Sequence, residues 1–383
     1  MRILLIAAVL LATMLKTGRG EEQAATDDPL APILQPYLEP TVGVFLDHYR
    51  GSRKYLNSDF PMTKDRFREF QAEIESELAG SLGIRDWVVR EPAGKDSLIS
   101  EQFEDRLLET ISLHGVTVEV HAVTLQPTGL VVPMALCLPK EDVERLPGVC
   151  VFSGHTTHGL RDLVIDLDSY QQGVAVRLAR AGFASIAVEK IDTGYLSRHG
   201  TEGNDETVAA TLMLSWGSVI RSHQLRACLA AVEILARHER VDEARMGATG
   251  VSLGGWLSVQ TAMLNDRIAA VADFGMKTRS VGHHVETQQY QGQRDLCHIL
   301  PGMLRLSDRN LMPVVLAPTP MLSGHGRKDS SSQREHAANY RAICEAQYKE
   351  LDAPGNYTYL IHDGGDTMPS TEVIAWFQKQ FAD

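Results

Sequence analysis

Arg245-Met246-Gly247-Ala248-Thr249-Gly250-Val251-Ser252-Leu253-Gly254-Gly255-Trp256-Leu257 is the stretch on which the fold turns. It passes from a short run of strand character, through a serine flanked by glycines, into a helix expected from Leu257 towards Leu264. Glycines at 250 and 254 permit a tight, strained turn that lifts the Ser252 hydroxyl and leaves room for a ligand beside it. A helix N-terminus directly behind that hydroxyl favours negative charge. Without the strand and the helix the pattern would be an ordinary Gly/Ser loop. With them, Ser252 is a candidate nucleophile.

Outward from this turn, strands and helices alternate. Gly148 to Phe152 reads as an apolar strand, Tyr170 to Ala181 as an amphipathic helix closed by Gly182, and Phe183 to Val188 as the next strand. Ser218 to Arg237 predicts a long helix with Leu225, Leu229, Val232 and Leu235 on one face. Val314 to Leu316, Met321 to Ser323 and Tyr357 to Ile361 are expected as later strands, and Glu372 to Phe381 as a closing helix. Upstream, Val116, Val118 and Val120 alternate with polar residues, and Leu130 to Leu138 follows the Pro127-Thr128-Gly129 turn, which predicts two adjacent strands. Earlier still, Met62 to Leu82 carries Phe67, Phe70, Ile74 and Leu78 at helical spacing. The pattern implies an α/β fold, a mainly parallel sheet with helices on both faces, over residues 113–383. An N-terminal helical extension is expected over 37–112, and an acidic, Ala/Pro-rich flexible tail over 21–36.

The whole chain has 383 residues, 22% of them charged, and a formal net charge of −12. That acidic balance gives no electrostatic footprint for nucleic acid or anionic lipid. Arg2 precedes an apolar run from Ile3 to Leu15, and Gly18 and Gly20 then supply small residues at cleavage-site spacing. Residues 1–20 read as a secretory signal peptide, so a secreted or periplasmic location is expected. The run is shorter than the roughly 20 residues of a membrane span. An N-terminally anchored protein is the weaker alternative. Five cysteines in so long a chain do not make a disulfide-stapled fold, and Cys150 and Cys228 lie in apolar strand-like and helical runs as buried thiols do.

Several further segments carry a family resemblance. Val241-Asp242-Glu243-Ala244-Arg245-Met246-Gly247 leads into the serine turn, Asn265-Asp266-Arg267-Ile268 follows it, and Leu316-Ala317-Pro318-Thr319-Pro320-Met321-Leu322 lies downstream. With these, residues from about 115 to 383 resemble the α/β-hydrolases of the dienelactone hydrolase and acetyl xylan esterase-like group. The resemblance implies an α/β-hydrolase fold and a Ser…Asp…His chain order for the working residues. It places the orienting acid at Asp329, in Gly326-Arg327-Lys328-Asp329. The group's last loop reads roughly H-x-G-G-H, whereas this chain has His362-Asp363-Gly364-Gly365-Asp366. Asp366 therefore stands where the acid/base histidine is usual. A carboxylate with an ordinary pKa near 3.9 is a poor acceptor for a serine proton. Three arrangements stay open: His362 serves instead, His325 does, or the triad is broken. Two backbone donors are needed for an oxyanion, and the amides of Leu253 and His155 are the candidates, with Ser153 where the group's histidine stands.

His155 and His158, three apart, and the adjacent His283 and His284 carry no H-E-x-x-H or carboxylate-rich pattern, so no metal is expected. No phosphate loop or dinucleotide fingerprint is present, and no cofactor is expected. The reading is a secreted serine ester hydrolase with an altered acid/base. Its partner would be a small-molecule or carbohydrate ester substrate, with no nucleic acid and no membrane beyond the export signal. The alternative is a catalytically impaired homologue that binds a ligand or glycan.

Overall fold

Alternation of apolar side chains along the central strands feeds two separate cores. The chain is described by a computed structural model over residues 51–383, apart from 91–97, 142, 144, 199–202, 204, 276–295, 330–333 and 383. The strands are β1 (Phe103–Leu113), β2 (Val116–Leu125), β3 (Leu130–Leu138), β4 (Leu146–Phe152), β5 (Ala184–Val188), β6 (Val241–Val251), β7 (Ile268–Phe274), β8 (Met321–Gly326) and β9 (Tyr357–His362). The helices are α1 (Lys64–Ser81), α2 (Leu160–Val164), α3 (Val174–Arg180), α4 (Glu206–Ser215), α5 (Ile220–Arg237), α6 (Leu253–Leu264), α7 (Arg334–Glu350) and α8 (Ser370–Gln380). Together the strands make one sheet in the order β1-β2-β3-β5-β4-β6-β7-β8-β9. The pairs β1–β2, β2–β3 and β3–β5 are antiparallel, and every pair from β5 onward is parallel.

Along β4, Val149 and Val151 join the core on one face, while Cys150 and Phe152 join the core on the other. Such period-2 alternation is what a sheet covered on both sides requires. Leu225, Leu229 and Val232 of α5, Val259 and Met263 of α6, and Phe70, Ile74 and Leu78 of α1 fill the first core. Val174 and Leu178 of α3 and Val373 and Phe377 of α8 fill the second. Each of these fully buried side chains contributes about 1.5–3 kcal/mol of transfer free energy.

The N-terminal extension is not wholly helical. Its helix α1 forms as expected, but residues Phe103–Leu113 pair along their length with β2, so the sheet begins ahead of residue 113. Gln71 of α1 donates to the carbonyls of Val315 and Ala317 at 2.6 and 2.9 Å, and the Met62 N–H donates to Gln347 Oε1 at 2.7 Å. These bonds fasten the extension to the sheet-bearing part, and Ser52–Asp383 form one compact unit. The expected strand at Val314 to Leu316 is instead a 3-10 turn, Pro313–Leu316, with Pro313 at its first turn; the strand starts only at Met321. Proline cannot donate to a ladder and presets a helical φ, which explains the difference. The signal peptide at 1–20, the tail at 21–36 and residues 37–50 lie outside the described residues. Among the described residues no helix is long and apolar enough to cross a membrane. All five cysteines are buried free thiols.

Candidate active site

The carboxyl ends of the parallel strands converge on Ser252. Gly250 lies opposite Phe152 of β4 and Asp273 of β7, and Val251 lies opposite Phe274. Ser252 follows β6 at once and caps α6, and its backbone takes φ 59°, ψ −120°, a region L-residues rarely enter. Its N–H donates to the Phe274 carbonyl at 2.7 Å. The close-packed glycines are what make the turn possible. A Cβ on Gly250 would lie 2.3 Å from the Gly254 carbonyl carbon, and one on Gly254 would lie 2.1 Å from the Phe152 oxygen. Helix α6 thus starts directly against the end of β4.

The loop after β4 carries His155, whose amide is the expected second donor. Gln171, fully buried, accepts from the Gly154 N–H at 3.0 Å and donates to Ser153 Oγ at 3.1 Å. Tyr170 donates its hydroxyl proton to the His155 carbonyl at 3.1 Å. The His155 peptide is therefore held from its carbonyl side, and Leu253, as the first residue of α6, has an N–H with no intrahelical acceptor. Neither Tyr170 nor Gln171 stood out in sequence, because each acts on backbone.

The acid/base candidates lie near the carboxyl ends of β8 (His325) and β9 (His362) and in the loop after β9 (Asp366). Gly326 pairs with His362, and the Arg327 and Lys328 N–H groups donate to the carbonyls of His362 and Gly364 at 2.7 and 2.9 Å, which joins the Asp329 loop to the His362–Asp366 loop. Asp366 and the elbow both border Gly275: a Cβ there would lie 2.1 Å from Asp366 Oδ1 and 3.4 Å from the Ser252 nitrogen. Burial raises the Tyr170 phenol well above its usual value, and the charge of Asp366 adds to that. His362 accepts the Gly364 N–H on Nδ1 at 3.1 Å and rests its ring against Phe274, 6.0 Å between centroids. His325 shares a hydrogen bond with Tyr359 through Nδ1, at 2.8 Å, and faces a cavity of about 330 Å³ whose lining includes Asp329 and Arg341 but not Ser252. Burial lowers both imidazoles from their usual value, with Glu372 opposing at His362 and Asp329 opposing at His325. Among the described residues, the hydrogen bonds of the His325 and His362 rings go to Tyr359 and Gly364, and neither goes to Ser252 Oγ.

Two buried polar groups flank this site. Asp273, beside Gly250 in the sheet, accepts from Ser323 Oγ, which shares a 3.0 Å bond with Tyr340; burial pushes the Asp273 carboxyl up to about 7. On the other side, Lys190 donates to Glu206 Oε2 at 2.6 Å, both buried. Burial raises the Glu206 carboxyl, but the hydrogen bond from His155 and the charge of Lys190 outweigh it and hold the group well below the usual range. His158 lies 3.5 Å from Asp162, and His283 and His284 fall outside the described residues.

Comparison with known proteins agrees with this geometry. The model of the dienelactone hydrolase family matches residues 134–292. YtaP of Bacillus subtilis (strain 168), a provisionally named hydrolase, is 24% identical over 318 residues, which span 81% of this chain and 99% of that protein. A Bacteroides fragilis NCTC 9343 protein, provisionally described as an acetyl xylan esterase, superposes with TM-score 0.68 at 14% identity, over 90% of this chain and 96% of its own. The glucuronoyl esterase from Solibacter usitatus follows with TM-score 0.57 at 12% identity, over 83% and 93%. With its mostly parallel sheet, the serine turn after β6 and the dienelactone hydrolase family match across that turn, the chain has an α/β-hydrolase fold and is similar to the dienelactone hydrolase family.

Proposed function

We propose that the protein is an exported serine ester hydrolase acting on a carbohydrate or other small ester, with Ser252 as nucleophile. The observation that carries this reading is the backbone of Ser252, a non-glycine residue at φ 59° in a turn too tight for any Cβ at Gly250 or Gly254. Strain of that kind costs about 1–3 kcal/mol and brings no packing benefit of its own. In the proposed reaction, Ser252 Oγ attacks the ester carbonyl carbon while its proton passes to a base. The developing oxyanion accepts hydrogen bonds from the Leu253 and His155 amides. Collapse expels the alcohol, which takes the proton, and water activated by the same base releases the acid from the acyl-serine.

Asp329 is the proposed orienting acid. For the base, the position of Asp366 against Gly275, which also borders the Ser252 nitrogen, supports an altered arrangement centred on that carboxylate, with His362 the imidazole at the end of the preceding strand. A carboxylate works as a base only where its surroundings raise its pKa. The names of the structural neighbours, acetyl xylan and glucuronoyl esterases, support a carbohydrate ester as substrate, and residues 1–20 support export.

A serine-directed fluorophosphonate tests the assignment. Covalent labelling of the wild type, absent in Ser252→Ala together with hydrolysis of an activated ester, is the expected result. Full esterase activity in Ser252→Ala overturns it. The second reading, a ligand-binding protein, is favoured by the absence of an imidazole hydrogen bond to Ser252 Oγ among the described residues. No labelling and no turnover in the wild type would establish that reading instead.

A further inference from the structure

A group of soft and borderline ligands gathers behind the loop that follows β4, from places far apart in sequence. His155 Nε2 lies 3.2 Å from Cys297 Sγ and 3.4 Å from Glu206 Oε2. The ligand atoms of His155, Cys297 and His298 all fall within 4.8 Å of one another, and the two imidazole rings are 5.6 Å apart between centroids. Cys297 is fully buried. We propose that His155, Cys297, His298 and Glu206 form a binding site for a divalent zinc-type cation.

The spacing is that of a ligand polyhedron. Zinc–nitrogen, zinc–oxygen and zinc–sulfur bonds of about 2.0–2.3 Å at tetrahedral angles give ligand-to-ligand edges of about 3.3–3.8 Å. The His155–Cys297 edge, 3.2 Å, is just under that range and the His155–Glu206 edge, 3.4 Å, is within it, while His298 lies within 4.8 Å of His155 and Cys297 and closes by movement of its partly exposed imidazole. The donor set, one thiolate, two imidazoles and one carboxylate, is the mixture that zinc accepts and that magnesium or calcium does not. Lys190, 2.6 Å from Glu206 Oε2, supplies the outer hydrogen bond that a ligating carboxylate ordinarily receives. Arg221 donates to the Cys297 carbonyl at 2.8 Å and fixes the backbone between the two downstream ligands.

The site would tie residue 155 of the loop after β4 to residues 297–298. Because the His155 carbonyl is already held by Tyr170, a cation on its imidazole would leave that residue little freedom. Its role is positional, with no bond to the ester.

Metal content is measured on untagged full-length protein purified without chelator, by plasma mass spectrometry. About one zinc per chain is expected, with loss of the metal in Cys297→Ser and in His298→Gln. Chelation should lower the Tm of the wild type and added zinc should restore it, and a cobalt-exchanged sample should show a thiolate charge-transfer band that Cys297→Ser lacks. These readouts do not depend on turnover of any ester. A wild type that carries only background metal, and whose Tm responds neither to chelator nor to zinc, overturns the site. So does a zinc content that survives both substitutions.

Discussion

Replacing Gly254 by alanine would place a methyl group 2.1 Å from the carbonyl oxygen of Phe152 and its nearest neighbours at 2.9 and 3.1 Å. Real contacts of this kind do not fall below about 3 Å, so α6 and the end of β4 must separate by about 1 Å. Two costs follow. Overpacking of this size destabilises by about 1–3 kcal/mol, from which the better helix propensity of alanine recovers up to about 1 kcal/mol. The second cost is geometric. Phe152 leads directly into Ser153, Gly154 and His155, while Gly254 stands two residues after Ser252. A shift at this contact therefore widens the space between the proposed oxyanion donors and the proposed nucleophile. Misplacement by about 1 Å costs on the order of a hundredfold in rate.

The assay pairs urea denaturation with kcat/KM on an activated acetyl ester, or with the rate of fluorophosphonate labelling. Gly355→Ala is the control, since a Cβ there meets nothing within 4 Å. We expect Gly254→Ala to lose about 1–2 kcal/mol of stability and about a hundredfold in kcat/KM, with Gly355→Ala close to wild type in both. A Gly254→Ala protein with an unchanged urea midpoint and kcat/KM within a factor of about three would refute the reasoning, because the methyl group would then have found room without moving the loop.

Three further outcomes are expected. Asp273 has a folded pKa of about 7 against 3.8 for the unfolded carboxyl, so its contribution is fully present below about pH 4 and is lost as pH rises through 7. Three units correspond to about 4 kcal/mol, so Asp273→Asn should narrow the gap in Tm between pH 5 and pH 8; an identical pH dependence in the two proteins would sink this. Asp366→His should raise kcat/KM by tenfold or more if that position takes the serine proton, and an unchanged rate counts against the base assignment. Lys190→Met takes the ammonium partner from the buried Glu206 carboxylate and should cost about 3 kcal/mol by urea denaturation; a midpoint at the wild-type value contradicts the account of that pair.

What the sequence made legible was local. The serine turn could be read because its glycines, its strand and its helix are contiguous, and even there the helix was expected from Leu257 although it begins at Leu253. Glycines are poor helix formers, and tertiary contact with β4 overrides that preference. Strand β1 escaped notice because most of Phe103–Leu113 is exposed on both faces, so Glu104, Asp105, Arg106 and Glu109 break any alternation. Strand β7 and the long polar helix α7 were likewise not anticipated. The least legible feature was the acid/base. His362 and Asp366 are four residues apart on one loop, and only the fold of the sheet edge decides which of them meets Ser252. His155, Glu206, Cys297 and His298 were unreadable as a group for the same reason, since nothing in the chain announces that they converge.

The strained serine bears on whether this is an enzyme or a binding protein. A ligand-binding pocket at the carboxyl edge of the sheet needs depth and polar groups, and both survive with any small residue at 252 in a relaxed turn. It does not need a side chain at φ 59°, or a methylene-free contact between Gly254 and Phe152, or a hydroxyl raised at the end of α6. Each of these costs free energy, and together they fit the proposed presentation of an oxygen nucleophile beside the Leu253 and His155 amides. The acid/base position departs from the group's pattern, yet Asp366 borders the same glycine as the elbow: its Oδ1 lies 2.1 Å from where a Cβ on Gly275 would be, and its charge reaches Tyr170. A carboxylate so placed is electrostatically unfavourable next to a developing oxyanion unless it carries a proton during the reaction. On the proposed reading the proton that leaves Ser252 Oγ is the one Asp366 would take, so hydrolysis with Asp366 as the base depends on that transfer.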